Sequence, residues 1–298
     1  MRRHIFYAGV FVAILLSTHT VSHSERINPT AAGSPARNHA APSATQSNDI
    51  QFLKPAFWTR RLINLPTTQT LFRGELLFRI AHRYNRALRD GEDHLFGLDG
   101  PAKILLSLGY GIRDNVSVTL GRTNLSDVVE LSCNWRFIEQ GKRYGVPLSA
   151  SLNVGGSLET ERCEDIWESD NLKFSAQLSL SHQASESFAL LLVPAYSSNT
   201  NPSASSSEGT LILGLGGRFT FVSNLSLIWE SLPHLSGYEA ESQGWGAGLE
   251  YKTGGHVFQV FLTNMLGLTS DQFIPGGDFK ITDSDYRLGF NIFRSFWF

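Results

Sequence analysis

From residue 71 to the C-terminus, apolar and polar residues alternate in segments of about ten, separated by polar or glycine-rich pieces. The last, "DYRLGFNIFRSFWF", shows the rule: Tyr286, Leu288, Phe290 and Ile292 share one face, and Arg287, Gly289 and Asn291 the other. The remaining segments are "GELLFRIAHR", "AKILLSLGYG", "NVSVTLGRT", "VVELSCNWRF", "VPLSASLNVG", "NLKFSAQLSLSH", "SFALLLVPAYS", "GTLILGLGGRFTF", "NLSLIWESL", "GWGAGLEYK" and "HVFQVFLTN". Together they predict about twelve strands, with about 19 residues for each strand and its connection, which suits membrane strands of about 9 to 11 residues. The connections alternate in length: short after residues 111, 182, 221 and 252, long at 85–101, 157–170, 197–208, 233–243 and 265–284. Two, around Asn124 and Lys142, depart from the rule. Alternating faces with alternating short and long connections predict an all-β fold, a transmembrane antiparallel up-and-down β-barrel with both termini in the periplasm.

A strand ending on bare aromatics would be an aggregation-prone edge in water. In a bilayer its apolar face meets lipid, and the closed barrel pairs its backbone. A terminal strand ending in Phe298 also resembles the element by which bacterial outer-membrane proteins are recognised by their insertion machinery, which is then the expected partner besides lipid.

The N-terminus supports export. Arg2 and Arg3 precede an apolar run from Ile5 to Leu16, too short to span a bilayer, so residues 1–24 read as a signal peptide. Residues 25–50, rich in Ala, Ser, Pro and Asn, read as a disordered leader. Residues 51–70 carry aromatics with neither period and read as a periplasmic segment that could plug or cap a barrel formed by residues 71–298. Phe52, Phe57, Trp58 and Leu62 give it something to bury, and Arg60 and Arg61 can pair with lumenal carboxylates such as Glu75, Glu130 or Glu250.

Composition narrows the function classes. The chain is 42% hydrophobic and 17% charged, so its apolar residues are dispersed over strands rather than gathered in helices. A net charge of −2 without a basic block argues against nucleic acid. Cys133, on a strand, and Cys163, in an acidic loop, are poorly placed to pair, and with no nearby His pattern they make no metal site. "GLGGRF" and "GWGAGLE" lack phosphate-loop spacing and lead into no helix, so no nucleotide cofactor is expected. Gly214, Gly216, Gly244, Gly246 and Gly248 instead fall on the lumenal face, where another backbone can approach. Barrel enzymes need a nucleophile and base at the outer rim; His82, His94, His182, His234 and His256 are scattered, and no catalytic residue is expected. "DSD" at 283–285 reads as a solvated acidic loop rather than a Ca²⁺ site.

Sorting faces by which set tolerates lipid turns Glu75, Arg79, Arg83, Glu130, Arg136, Lys173, Arg218 and Glu250 inward, and Val116, Val118 and Leu120 outward. Arg294 falls on the lipid side and needs a bulge or a snorkelling path to water. Charges of both signs inside fit either a network satisfying buried groups or a path for small solutes, the solute being unspecified.

The blocks "LPTTQTLFRGELLFRIAHRYNR", "LFGLDG", "LGYGIRDNVSVTLGRT" and "LTNMLGLTSDQFIPGG" resemble those of a bacterial family of exported β-barrel proteins without an assigned function. The resemblance covers most of residues 62–298 and implies an outer-membrane location and no catalytic residues to transfer. Expected roles are a channel or transporter-like pore, or else a closed barrel with a structural or surface-binding role.

Overall fold

The computed structural model describes residues 55–142, 146–161, 171–202, 208–280 and 285–297. The expected signal peptide and leader, with Phe52, Cys163, Asp283 and Phe298, lie outside the described residues.

The strands are β1 Glu75–Tyr84, β2 Ala102–Arg113, β3 Val116–Thr123, β4 Val129–Ile138, β5 Ser149–Leu158, β6 Leu172–Gln183, β7 Phe188–Ser197, β8 Thr210–Val222, β9 Leu225–Leu232, β10 His234–Gly237, β11 Gly244–Thr253, β12 His256–Thr263 and β13 Arg287–Trp297. Each pairs antiparallel with its neighbours. β13 closes the ring on β1, from Glu75 opposite Trp297 to Arg83 opposite Gly289. The result is a closed barrel of 12 strands. β10 is the continuation of β9 beyond Pro233, whose missing amide donor interrupts the ladder; it pairs with β8 alone.

Period-2 patterning sets the faces. Leu106, Leu108, Leu120, Leu131, Phe174 and Leu249 stand exposed on the outside, while Ser107, Ser117, Ser132, Asn134, Ser151 and Gln177 are buried inside. Parity also explains the two irregular connections: 124–128 lies at the long-loop end although short, and 139–148 at the short-turn end although long. β5 begins three residues later than its apolar pattern suggests. Pro147 cannot donate to a ladder, and its carbonyl is held by the His182 ring at 2.6 Å instead. Arg294 faces outward in an unbroken register. It reaches the short turn after β11, donating to the Gly254 carbonyl at 3.0 Å, so snorkelling rather than a bulge resolves its position.

Candidate functional site: the occupied lumen

Residues 56–68 lie within the barrel, with Pro55, Gln69 and Thr70 at its periplasmic mouth. They fold into a hairpin: Leu62 N–H donates to the Leu65 carbonyl at 2.9 Å, Thr67 N–H to the Arg60 carbonyl at 2.9 Å, and Arg61 bridges Pro66. The tip turns so that the N–H groups of Ile63, Asn64 and Leu65 all point at the Glu230 carboxylate on β9, at 3.1, 3.0 and 3.0 Å. Successive amides converging in this way form a concave nest suited to an anion. Around the tip, Arg83 donates to Asn64 Oδ1 at 3.0 Å and stacks over Phe261 at 4.4 Å. Asn291 donates to the Ile63 carbonyl at 3.1 Å and to Gln259 at 2.7 Å. Nearer the short-turn end, Glu250 accepts from Gln259 at 2.8 Å and Thr59 at 3.3 Å, and Arg218 donates to the Pro55 carbonyl at 3.2 Å beneath the Trp58 ring. On the facing wall Ser179 donates to the Pro66 carbonyl at 2.7 Å, and the Thr68 and Ser181 hydroxyls meet at 2.6 Å.

The lumen has two unlike halves. Where β7, β8 and β9 run, the inward face is largely apolar as well: Leu191, Val193, Ile212, Ile228 and Leu232 are buried with Leu62, Ile63 and Leu65 of the hairpin. Three glycines form its seats. A Cβ on Gly214 would lie 2.7 Å from Leu65 and one on Gly246 2.9 Å from Ile63, while one on Gly216 would overlap Leu62. Gly216→Val is therefore expected to weaken hairpin docking by about 1 to 3 kcal/mol through overpacking. Faster protease cleavage within 55–68 in an intact barrel would register it; unchanged cleavage would remove the seat.

From the other end, the β12–β13 loop folds inward around a single helical turn, α1 Ser270–Phe273. The Thr269 side chain and Gln272 make a capping box that starts this turn. Ser270 N–H donates to Glu130 at 2.9 Å, the Gln177 amide donates to Ser270 Oγ at 3.0 Å, and Asp271 lies 3.5 Å from Lys173. Phe273 and Ile274 are buried in the same cluster as the hairpin tip, and the Arg61 guanidinium sits 5.9 Å above the Phe273 ring. Hairpin and loop thus meet inside the barrel, with Glu130 touching both, 3.9 Å from Arg61.

Residues 57–296 match the model of a family described as a membrane-bound beta barrel domain (DUF5777). The chain belongs to this family of membrane-bound β-barrels. It is a barrel of the bacterial outer membrane in contact with lipid. The match begins at Phe57, inside the hairpin and well ahead of β1, so the lumenal segment belongs to the family's domain. Among solved structures, the NanC porin is similar at 11% identity and TM-score 0.47, covering 75% of this chain and 100% of that one. An outer-membrane channel from Pseudomonas putida F1 is similar at 14% identity and TM-score 0.48, covering 77% and 98%. Salmonella typhi OmpF is similar at 12% identity and TM-score 0.35, covering 64% and 61%. No curated protein matches the chain.

The inward charged residues of this family member divide into four groups. Arg79, Arg83 and Glu130 gather around the hairpin tip and the inner loop. Glu250 and Arg218 hold the hairpin's base. Lys173 stands with Glu159 and Asp271 at the outer end, whereas Glu75 accepts from Phe72 N–H and Arg136 pairs with Glu139 at 2.9 Å, both at the periplasmic rim and away from the tip. Arg60 donates to Thr119 at 2.6 Å rather than pairing with a carboxylate. Burial, and secondarily the neighbouring Arg61, lower Arg60 to about 10, which leaves it charged at neutral pH. The group at the centre, Glu230, and the amides Asn64, Gln259 and Asn291 are absent from the set that face sorting selects.

Proposed function

We propose that this barrel is an outer-membrane channel for small solutes whose resting lumen is closed by hairpin 55–68 from the periplasmic side and loop 264–280 from outside. The observation that carries the reading is the hold on the hairpin tip: three backbone amides on one carboxylate, Glu230. A plug whose tip amides all converge on one carboxylate can be loosened at that side chain without dismantling the barrel. Support comes from the opposite wall, where the inward positions of β2 to β6 carry short polar side chains, Ser107, Ser132, Ser151, Ser175, Ser179 and Ser181. Eight-stranded barrels fill themselves with side chains and sixteen-stranded ones hold water. Twelve strands with a serine-rich wall leave width that a separate occupant must fill. On this reading the chain passes solutes rather than transforming them, and its last strand serves the insertion machinery.

Single-channel recording in planar bilayers tests it. The full chain is expected to be mostly silent, and deletion of 55–68 to give a steady ohmic conductance. The occupied lumen also suits a permanently closed barrel with a structural or surface-binding role. Silence from a deletion variant that still migrates as a heat-modifiable barrel would favour that second reading.

A further inference from the structure

A vestibule of about 510 Å³ opens at the periplasmic mouth beside the hairpin, a size that accommodates small organic ligands. Its apolar lining includes Trp58, Phe72, Leu77, Val257, Phe293 and Trp297. At its inner end a smaller cavity of about 30 Å³ continues between the hairpin and the β1–β4 wall, lined by Arg60, Arg61, Arg79, Ser107, Thr119 and Glu130 among others. Arg60, Leu77 and Phe293 line both spaces, so the two adjoin. The small cavity is large enough for one water-sized polar group.

Its charges do not balance. Arg79 is 6% exposed, yet its one described hydrogen bond is a long one, from Nη2 to the Ile63 carbonyl at 3.4 Å, and its Nε has no partner among the described residues. Arg60 Nε is likewise buried and unpartnered among them. Three guanidiniums line this cavity with one carboxylate, Glu130, which stands 3.9 Å from Arg61 while its Oε1 accepts from Ser270 N–H. Of the other nearby acids, Glu75 accepts from the Phe72 amide at 3.0 Å, and Glu230 is taken up by the three hairpin-tip amides. Buried guanidinium donors without partners are costly, and planar carboxylates are their natural complement.

We propose that the two spaces form one binding site for a monocarboxylate with an apolar body, its carboxylate held by Arg60, Arg61 and Arg79 and its body against the vestibule's aromatic wall. The site deepens the channel reading and rests on it for its biological sense: it lies between the plug and the β1–β4 wall, and the Glu130 contact with α1 closes its far end. Binding is measured without conduction, so the two readings fail separately.

Calorimetric titration of the detergent-solubilised full chain with benzoate and with benzamide tests the site. Benzoate is expected to bind at least about tenfold more tightly than benzamide, the size of effect a charge-assisted pair supplies. Arg79→Gln should weaken benzoate at least about tenfold and benzamide by less, and Arg79→Lys should recover part of the benzoate loss. Heat-modifiable migration checks that each variant is folded. Equal affinity for the acid and the amide, unchanged benzoate affinity in folded Arg79→Gln, or no benzoate binding to the folded full chain would each overturn the proposal.

Discussion

Replacing Glu230 by alanine is expected to loosen the lumenal hairpin by about 3 to 5 kcal/mol, the scale of removing one partner from a buried charged contact. Three amides, of Ile63, Asn64 and Leu65, lose their shared acceptor at once. They sit where Ile63 and Leu65 are 0% exposed, so water does not replace it unless the hairpin moves. Arg83, fully buried beside the tip and bonded to Asn64 and Asn291, is left without the nearby negative charge. The barrel's own ladders, including β8–β9 and β9–β11 around Glu230, remain. The expected phenotype is thus a folded barrel with a mobile plug: increased hydrogen exchange across 57–68, little change in the strands, and a rise in channel openings. Glu230→Gln keeps one acceptor oxygen and should show a smaller effect. Unchanged exchange in Glu230→Ala would show that the apolar seats alone hold the hairpin.

The second large effect belongs to the outer surface. Leu120 lies in the middle of β3, 55% exposed, opposite Leu108 and Leu131 on its two neighbours. Leu120→Arg places a guanidinium in the apolar band and is expected to cost about 2 to 4 kcal/mol near mid-membrane. Its neighbour Thr119 faces the lumen and accepts from Arg60 at 2.6 Å, so Thr119→Glu should cost much less. Reversible unfolding of the barrel from lipid vesicles measures both. Equal costs would contradict the register of β3.

Most strand positions were legible because the bilayer imposes one criterion on every strand: the face that tolerates lipid points out. "VSVTLGRT" and "ELSCNWRF" sort under it apart from Arg122, which faces outward at the strand end and pairs with Asp127, and their inward Ser, Thr, Asn and Glu residues lie inside. The criterion fails where both faces are apolar. In β9 the inward set is Ser226, Ile228, Glu230 and Leu232, and the mixture hides the one acid that holds the hairpin tip. The two-sided apolarity of "FALLLVPAYS" was itself a signal, since Leu191 and Val193 on a lumenal face need an apolar occupant. Loop 264–280 has no period to read, although "TSDQ" carries the spacing of the capping box that starts α1. Gln259 and Asn291 escape any search for charge, because they satisfy the hairpin's backbone through neutral amides, and so does Asn64, whose neutral amide accepts from Arg83.

The central claim is that the hairpin's seat inside the barrel decides whether the lumen conducts, and a reversible tether tests it most directly. The hydroxyls of Thr68 on the hairpin and Ser181 on β6 are 2.6 Å apart, close enough for a disulfide after Thr68→Cys and Ser181→Cys. These changes would be made in a Glu230→Ala barrel with Cys133 and Cys163 both replaced by serine. Conductance is then followed in one bilayer through oxidation and reduction. The account predicts open channels under reducing conditions, closure when the tether forms, and reopening when it is cut. Equal conductance in the oxidised and reduced states, with the cross-link verified by mass, would contradict it.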